Sequence, residues 1–363
     1  MPTIYDLDTP TLLVDLDRLE RNIRNMAAHA RNGGKALRPH TKTHKTPEIA
    51  RMQIAEGARG LTVAKVGEAE TYAVAGLDDF FIAHDVVGAQ KVARLLALME
   101  NNCVRVGTDS REAAEPIGTA AQQRGMRVPM LVELDTGHGR AGTRSLEETL
   151  EVARFIHEHP GLELIGVFSH EGHLSRVPDL EERKAQMHTM LAYLAELQAA
   201  FAKSGLSCQE VSLGATPSAA LVAPETGVTE LRPGTYVFYD RMQVRLGAEA
   251  DWCALTVLAT VDSVRPDGRI LLDAGTKSLA SDNPFPDKTY GEIVGHPELI
   301  FDGSSEEHGH VLATQPTRLK VGDKVRIIPN HVCTCVNMHE RLVAHRGEHI
   351  EATWTIAARG KVQ

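Results

Sequence analysis

Short β-branched runs alternate with amphipathic stretches from residue 11 to residue 235, and this alternation limits the possible folds of the chain more than any other feature. The strand candidates are TLLVDLD (11–17), ALRPHTK (36–42), GLTVAK (60–65), FFIAHD (80–85), VRVGTD (104–109), PMLVELD (129–135), LIGVFSH (164–170) and EVSLGA (210–215), followed by ELRPGTYV near Glu230. Between them, stretches such as DRLERNIRNMAAHARN, QKVARLLALME and SLEETLEVARFIHEH carry apolar residues three and four apart, the period of a helix with one buried face. Eight or nine βα units in one run mean a parallel sheet. The economical closure is a (β/α)8 TIM-like barrel of about 250 residues.

The texture changes near residue 250. ALTVLATVDSV, RILLDAG, EIVGH, GHVLAT, KVRIIPNHVC and EATWTI are closely spaced strand patterns separated by turn signals such as RPDGR and KVGDK, with no helix pattern between them. The fold class is therefore α/β, with a barrel domain expected over 1–245 and a C-terminal all-β domain over 246–363.

Composition narrows the function. The longest apolar runs, LVAP near Leu221 and ALTVLATV near Ala254, fall short of the ~18 residues of a membrane span. Acids outnumber bases 48 to 39 and no Lys/Arg cluster is present, so neither membrane nor nucleic acid is an expected partner. Five dispersed cysteines do not make a secreted disulfide framework, and MPTIYDLDTP lacks a signal peptide's segments, so the expected location is cytoplasmic.

Barrels keep their chemistry at the C-terminal ends of the strands. Arg38 to Lys45, His84 and Asp85, then Glu133, Asp135 and Arg140, then Ser169, His170, Glu171 and His173, and finally Gly214, Ala215 and Thr216 stand at such ends. Lys42, flanked by His40, His44 and Lys45, is placed to form a Schiff base with a carbonyl compound, although a solvated loop lysine fits the same pattern. GATPSAA opens a helix that could hold a phosphate on its N–H groups or could simply be capped. Tyr236 and Tyr239 could bound a ring or pack in a core.

In PNHVC, His331 and Cys333 would project from the same side of a strand, as would Cys333 and Cys335. A His nitrogen with a Cys thiolate suits zinc and leaves coordination positions open; a buried polar strand end is the alternative. Glu306, Glu307 and His308 form another polar knot. Gly137 to Gly142 matches G-x-G-x-x-G, but at the sixth βα unit its glycines would tighten a loop around Arg140 rather than open a dinucleotide site.

LDTPTLLVDLDRLERNI, RPHTKTHK, GLTVAKVGEAE, SLGATPSA, ELRPGTYVFYD, EEHG and PNHVC, in this order from Leu7 to Val336, resemble the D-serine dehydratase and D-threonine aldolase family of pyridoxal-phosphate enzymes. The resemblance implies the alanine-racemase-like fold and a homodimer. It also implies that Lys42 is the Schiff-base lysine, that Gly214, Ala215, Thr216, Gly234 and Thr235 hold the cofactor phosphate with Tyr236 beside them, and that His40, Arg140 and His170 surround the ring. His331 and Cys333 would be the metal pair, for zinc first and manganese or magnesium second. The substrate implied is a small D-β-hydroxy-α-amino acid. H-x-C pairs resemble the dehydratases, whereas Val336-Asn337 is similar to the aldolase pattern and Cys335 matches neither, so dehydration leads and aldol cleavage is the alternative. A racemase would require a tyrosine from the second domain, where Tyr290 is the only one beyond residue 250.

Overall fold

The computed structural model describes residues 2–283 and 286–363. The chain separates into two compact units. A barrel unit comprises Asn25–Lys42, Ile49–Gly234 and Lys361–Gln363, and a β unit comprises Met1–Arg24, Thr43–Glu48 and Thr235–Gly360. This differs from an expected cut at residue 245, because three separate stretches of chain build the β unit.

In the barrel unit eight strands lie in the order Ala36–Leu37, Glu230–Leu231, Glu210–Leu213, Leu162–Ser169, Val128–Leu134, Cys103–Thr108, Asp79–Ile82 and Leu61–Val63. Every neighbouring pair is parallel. The sheet curls until its first and last strands meet at a parallel bridge between His40 and Thr62, where the Thr62 N–H donates to the Pro39 carbonyl at 2.8 Å. The result is the TIM-like barrel that the alternation predicts. Its interior is filled by Phe81, Leu131 and Phe168, with the two phenyl rings edge to face at 5.0 Å.

The helices cover the outside as their periodicity requires. Ala89–Met99 buries Val92, Leu95, Leu96 and Leu98. Leu146–Glu158 begins where Ser145 Oγ accepts the Glu148 N–H at 3.1 Å, an N-cap that satisfies an otherwise unpaired donor. Asp79, Glu210 and Glu230 each begin a strand, and two arginines, one buried and one partly buried, tie these carboxylates together. Arg38, wholly buried, donates to Glu230 at 2.8 Å and to Asp79 at 2.7 Å, while Arg105 meets Glu210 at 2.8 Å.

The β unit is a mixed sheet in which Thr11–Asp15 was not expected. That segment reads as the first barrel strand, yet it pairs antiparallel with Leu255–Val264 and parallel with Arg341–Arg346. Leu12, Leu13 and Val14 are all fully buried, so the segment has no polar alternate face to indicate which sheet it joins, and the barrel closes on eight other strands.

A second difference lies in PNHVC. The strand Lys324–Pro329 stops at the proline, and Val332–Met338 is a helix. Its β-branched residues favour a strand, but the Val332 N–H is taken by Asp240 Oδ2 at 3.1 Å, which starts the helix through a contact distant in sequence. Among the described residues no helix is long and apolar enough to cross a membrane.

Candidate active site

Within the barrel unit a cavity of about 280 Å³ is lined by His40, Lys42, Lys65, His84, Glu133, Arg140, His170 and Arg232, among others. Lys42 sits half-buried in the tight turn Thr41–Thr43, just after the short strand Ala36–Leu37. Thr41 Oγ1 donates to the Thr62 carbonyl at 3.2 Å and the His40 N–H to that of Pro233 at 2.9 Å, so the residues before the lysine are pinned on both sides.

The cavity is rich in positive charge. Burial, then the charges of Lys42, Arg232 and His170, hold His40 well below the usual imidazole range. Burial and Lys42 likewise lower His170 to about 3. A carbonyl can only accept, so the 2.7 Å contact between His170 Nδ1 and the Gly214 oxygen places the ring proton on Nδ1. The ring is further held edge to face against His138, with centroids 5.6 Å apart. Arg140 is half-exposed and lies 3.5 Å from Glu133, whose carboxyl is raised by burial against the pull of that arginine.

Arg232 and Lys65 line the cavity although sequence reasoning did not single them out. Arg232 is 3% exposed; its Nε donates to Ser212 Oγ at 2.8 Å and its guanidinium lies over Phe168, 5.2 Å from the ring centre. Arg232 directly follows the strand Glu230–Leu231 and Lys65 comes two residues after Leu61–Val63, and that position at a strand end was the signal available for them.

The segment Gly214–Thr216 behaves in two ways. The Gly214 N–H donates to Glu171 Oε2 at 3.1 Å, and Ser218 Oγ donates to Glu171 Oε1 at 2.5 Å, so a buried glutamate clamps the loop from beneath. A Cβ on Gly214 would stand 2.6 Å from that of Arg232, which is why glycine occupies this position. The helix Thr216–Val222 then starts from Ala215, which has no side-chain oxygen to cap it, an opening suited to an anion. Gly234 follows Arg232 by two residues. Thr235 and a fully buried Tyr236 begin the turn Thr235–Val237 in the β unit. Tyr239 packs against Trp252 at 5.2 Å, as a core aromatic does.

The loop Gly137–Gly142 wraps Asp135, whose Oδ1 accepts the N–H groups of Gly137 at 3.1 Å and Gly139 at 2.9 Å. Both glycines have positive φ, so they shape the Arg140 loop and make no dinucleotide fingerprint.

In the β unit, His331 precedes the helix Val332–Met338 and Cys333 is its second residue. His331 Nδ1 meets Asp240 Oδ2 at 3.0 Å, and Cys333 Sγ lies within hydrogen-bond distance of Thr43 Oγ1 at 3.4 Å. Thr43 is the residue after Lys42. As a thiolate, Cys333 holds His331 well above the usual imidazole range, opposed by burial and helped by the hydrogen bonds that His331 donates to Asp240 and Cys333. Cys335 does not share the face of Cys333 as a strand would require. Two helical positions on, it is fully buried and its thiol donates to the Ser278 carbonyl at 3.1 Å.

Among the described residues no group of three or more His, Cys, Asp or Glu side chains is placed to hold a metal, so an ion on this pair would complete its shell with solvent or substrate. His308 and His310 line a separate cavity of about 590 Å³ in the β unit with Arg265, Arg269 and Asp302, while Glu306 and Glu307 pair with Lys277 on the surface. Tyr290 packs its ring toward Phe301 at 6.1 Å.

Residues 14–242 match the alanine racemase N-terminal domain and residues 254–345 match a serine dehydratase domain. The chain belongs to this family. D-threonine aldolase from Arthrobacter sp is 34% identical over 362 residues, covering 98% of this chain and 93% of the relative. D-threo-3-hydroxyaspartate dehydratase from Delftia sp. (strain HT23) is 32% identical, covering 99% and 97%. The crystal structure of D-threonine aldolase from Filomicrobium marinum superposes with a TM-score of 0.93 at 32% identity, covering all of this chain and 98% of that one. A cysteine variant of a D-threo-3-hydroxyaspartate dehydratase, solved in the metal-free form, matches with a TM-score of 0.91 at 31% identity, covering 98% and 99%. The family's named relatives are thus lyases on the alanine-racemase-like fold.

Proposed function

We propose that the protein is a pyridoxal-phosphate- and divalent-metal-dependent lyase that removes water from a D-β-hydroxy-α-amino acid, yielding a 2-oxo acid and ammonia. The observation that carries this reading is the His331 and Cys333 pair at the start of one short helix. One nitrogen and one sulfur favour zinc over manganese or magnesium and leave two positions of a tetrahedral ion open, as a catalytic site needs. The family resemblance and the metal-free dehydratase variant point the same way.

The residues around Lys42 fit the organic cofactor. Lys42 is half-buried on a cavity with three histidines and two arginines, and a glycine loop with an uncapped helix start follows the strand Glu210–Leu213. In this reading Lys42 binds the cofactor, Arg140, His40 and His170 surround its ring, and Ala215, Thr216, Gly234, Thr235 and Tyr236 hold its phosphate. Gly214 shapes that cradle, because its own N–H is engaged by Glu171. Pyridoxal phosphate supplies an electron sink for charge at the substrate α-carbon, and zinc supplies a Lewis acid for the β-hydroxyl. Lys42 Nζ would be the base that takes the α-proton. His170, uncharged and fixed by Gly214, walls the cavity without competing for that proton. We expect the enzyme to act as a cytoplasmic homodimer.

Retro-aldol cleavage to glycine and an aldehyde is the second reading, favoured by the likeness to two D-threonine aldolases. Product analysis separates them. The purified protein, given D-serine, D-threonine or 3-hydroxy-D-aspartate, is expected to release a 2-oxo acid and ammonia, to stop on chelation and to recover with zinc. Glycine and aldehyde without ammonia would establish the aldolase instead. The cofactor's visible absorbance, abolished by borohydride in the wild type, is expected to be absent from Lys42→Ala; its survival there would overturn the assignment of Lys42.

A further inference from the structure

Asp240 closes the motif ELRPGTYVFYD, in which the sequence gives it no role, yet both of its oxygens are engaged beside the metal pair. It is fully buried. Its two oxygens divide their duties. Oδ1 accepts the Gln243 N–H at 3.0 Å and thereby caps the helix Arg241–Arg245. Oδ2 accepts the Val332 N–H at 3.1 Å and meets His331 Nδ1 at 3.0 Å.

Capping needs only Oδ1. The second oxygen acts on H-x-C itself, since it holds the side chain of the first ligand and the backbone N–H of the residue between the two ligands. A carboxylate oxygen accepts, so in the neutral imidazole the proton sits on Nδ1 and the lone pair sits on Nε2. Metal-binding histidines are oriented in this way by carboxylates behind them.

We infer that Asp240 is a positioning residue for the metal: it selects the His331 tautomer whose Nε2 faces the ion and, through Val332, sets the backbone that carries Cys333. This rests on the metal reading above, and the experiment separates failure of one from failure of the other.

Asp240→Asn is the discriminating change. Its amide has a single oxygen, so it cannot accept from Gln243 on one side and from Val332 and His331 on the other. With the oxygen on Gln243 it turns a donor toward His331 Nδ1 and opposes the Val332 N–H; with the oxygen turned round it uncaps the helix Arg241–Arg245. Asp240→Ser retains a capping oxygen and has none that reaches His331, so it serves if the asparagine variant does not fold.

The measurement is zinc affinity of the full-length, cofactor-loaded protein, stripped of metal and titrated against a chromophoric zinc chelator. The cobalt(II)-substituted protein is read in parallel for its thiolate-to-metal charge-transfer band. Wild type is expected to bind one zinc per chain. The Asp240 variants are expected to bind about 10- to 100-fold more weakly, with a displaced or missing cobalt band and unchanged cofactor absorbance. Zinc affinity within twofold of wild type with an unaltered cobalt band would overturn the inference, as would an equal affinity loss from Asp240→Asn in a His331→Ala background. Wild type that binds no zinc would overturn the metal reading itself.

Discussion

At the scale of single residues, the two buried histidines of the barrel cavity, His40 and His170, carry a pH dependence with a definite sign. The pKa of about 3 for folded His170 lies below the roughly 6.5 of an unfolded histidine, and His40 is lowered in the same direction. Between those values the unfolded chain binds a proton that the folded chain refuses. The stability is therefore present above the unfolded value and is lost as pH falls below it. His170→Gln removes one such group. Between pH 6.5 and 5 the wild type is expected to lose about 1–2 kcal/mol more than the variant, read from urea midpoints across that range. Lys42, His170, Arg140, His331 and Cys333 were expected at a site from their places at strand ends and from the family resemblance, although a loop lysine or a buried strand end fits two of those patterns. Arg232 and Asp240 lie in ELRPGTYVFYD, where nothing local sets them apart. Arg232 reaches the cavity only through the fold, and the second oxygen of Asp240 meets a helix some 90 residues further on.

At the scale of elements, the strands and helices of the barrel were legible because their periods are strong and local. The assignments that failed share a cause. Thr11–Asp15 is recognisably a strand, but its sheet is decided by partners more than 240 residues away. Val332–Met338 has strand-like residues and is made a helix by a distant carboxylate. The loop that leads into Thr216–Val222 is a further case, since Glu171 and Arg232 shape it from two other strand ends. Gly214→Ala tests that packing. The added methyl, 2.6 Å from Arg232 Cβ, is expected to cost about 1–3 kcal/mol in urea unfolding and to weaken retention of pyridoxal phosphate on dialysis. A stability equal to wild type would show that the loop can yield.

At the scale of the whole molecule, the barrel unit assigns different work to its two ends. Lys42, His84 and His170 follow their strands and Glu133 stands at the end of its own, whereas Asp79, Glu210 and Glu230 begin theirs and are held by Arg38 and Arg105. This is the usual division between a catalytic face and a stabilising one. Arg38→Met leaves the buried Glu230 without its charge partner. The expected cost is about 3–5 kcal/mol, seen as a lower unfolding midpoint with products unchanged in whatever enzyme remains folded. None of this pairing could be read from the alternation that identified the barrel, because the five residues are scattered from 38 to 230.

The route of the chain through the β unit bears on how such proteins can be recombined. Its sheet places Thr11–Asp15 between Leu255–Val264 and Arg341–Arg346, and its Cys333 thiol reaches Thr43. A graft of residues 246–363 from one relative onto the barrel of another would carry only part of a folded body, leaving its central strand and the partner of Cys333 to be supplied by the recipient. Cys333 and the Thr43 hydroxyl that it meets would then come from different relatives, so such a graft has to match the two.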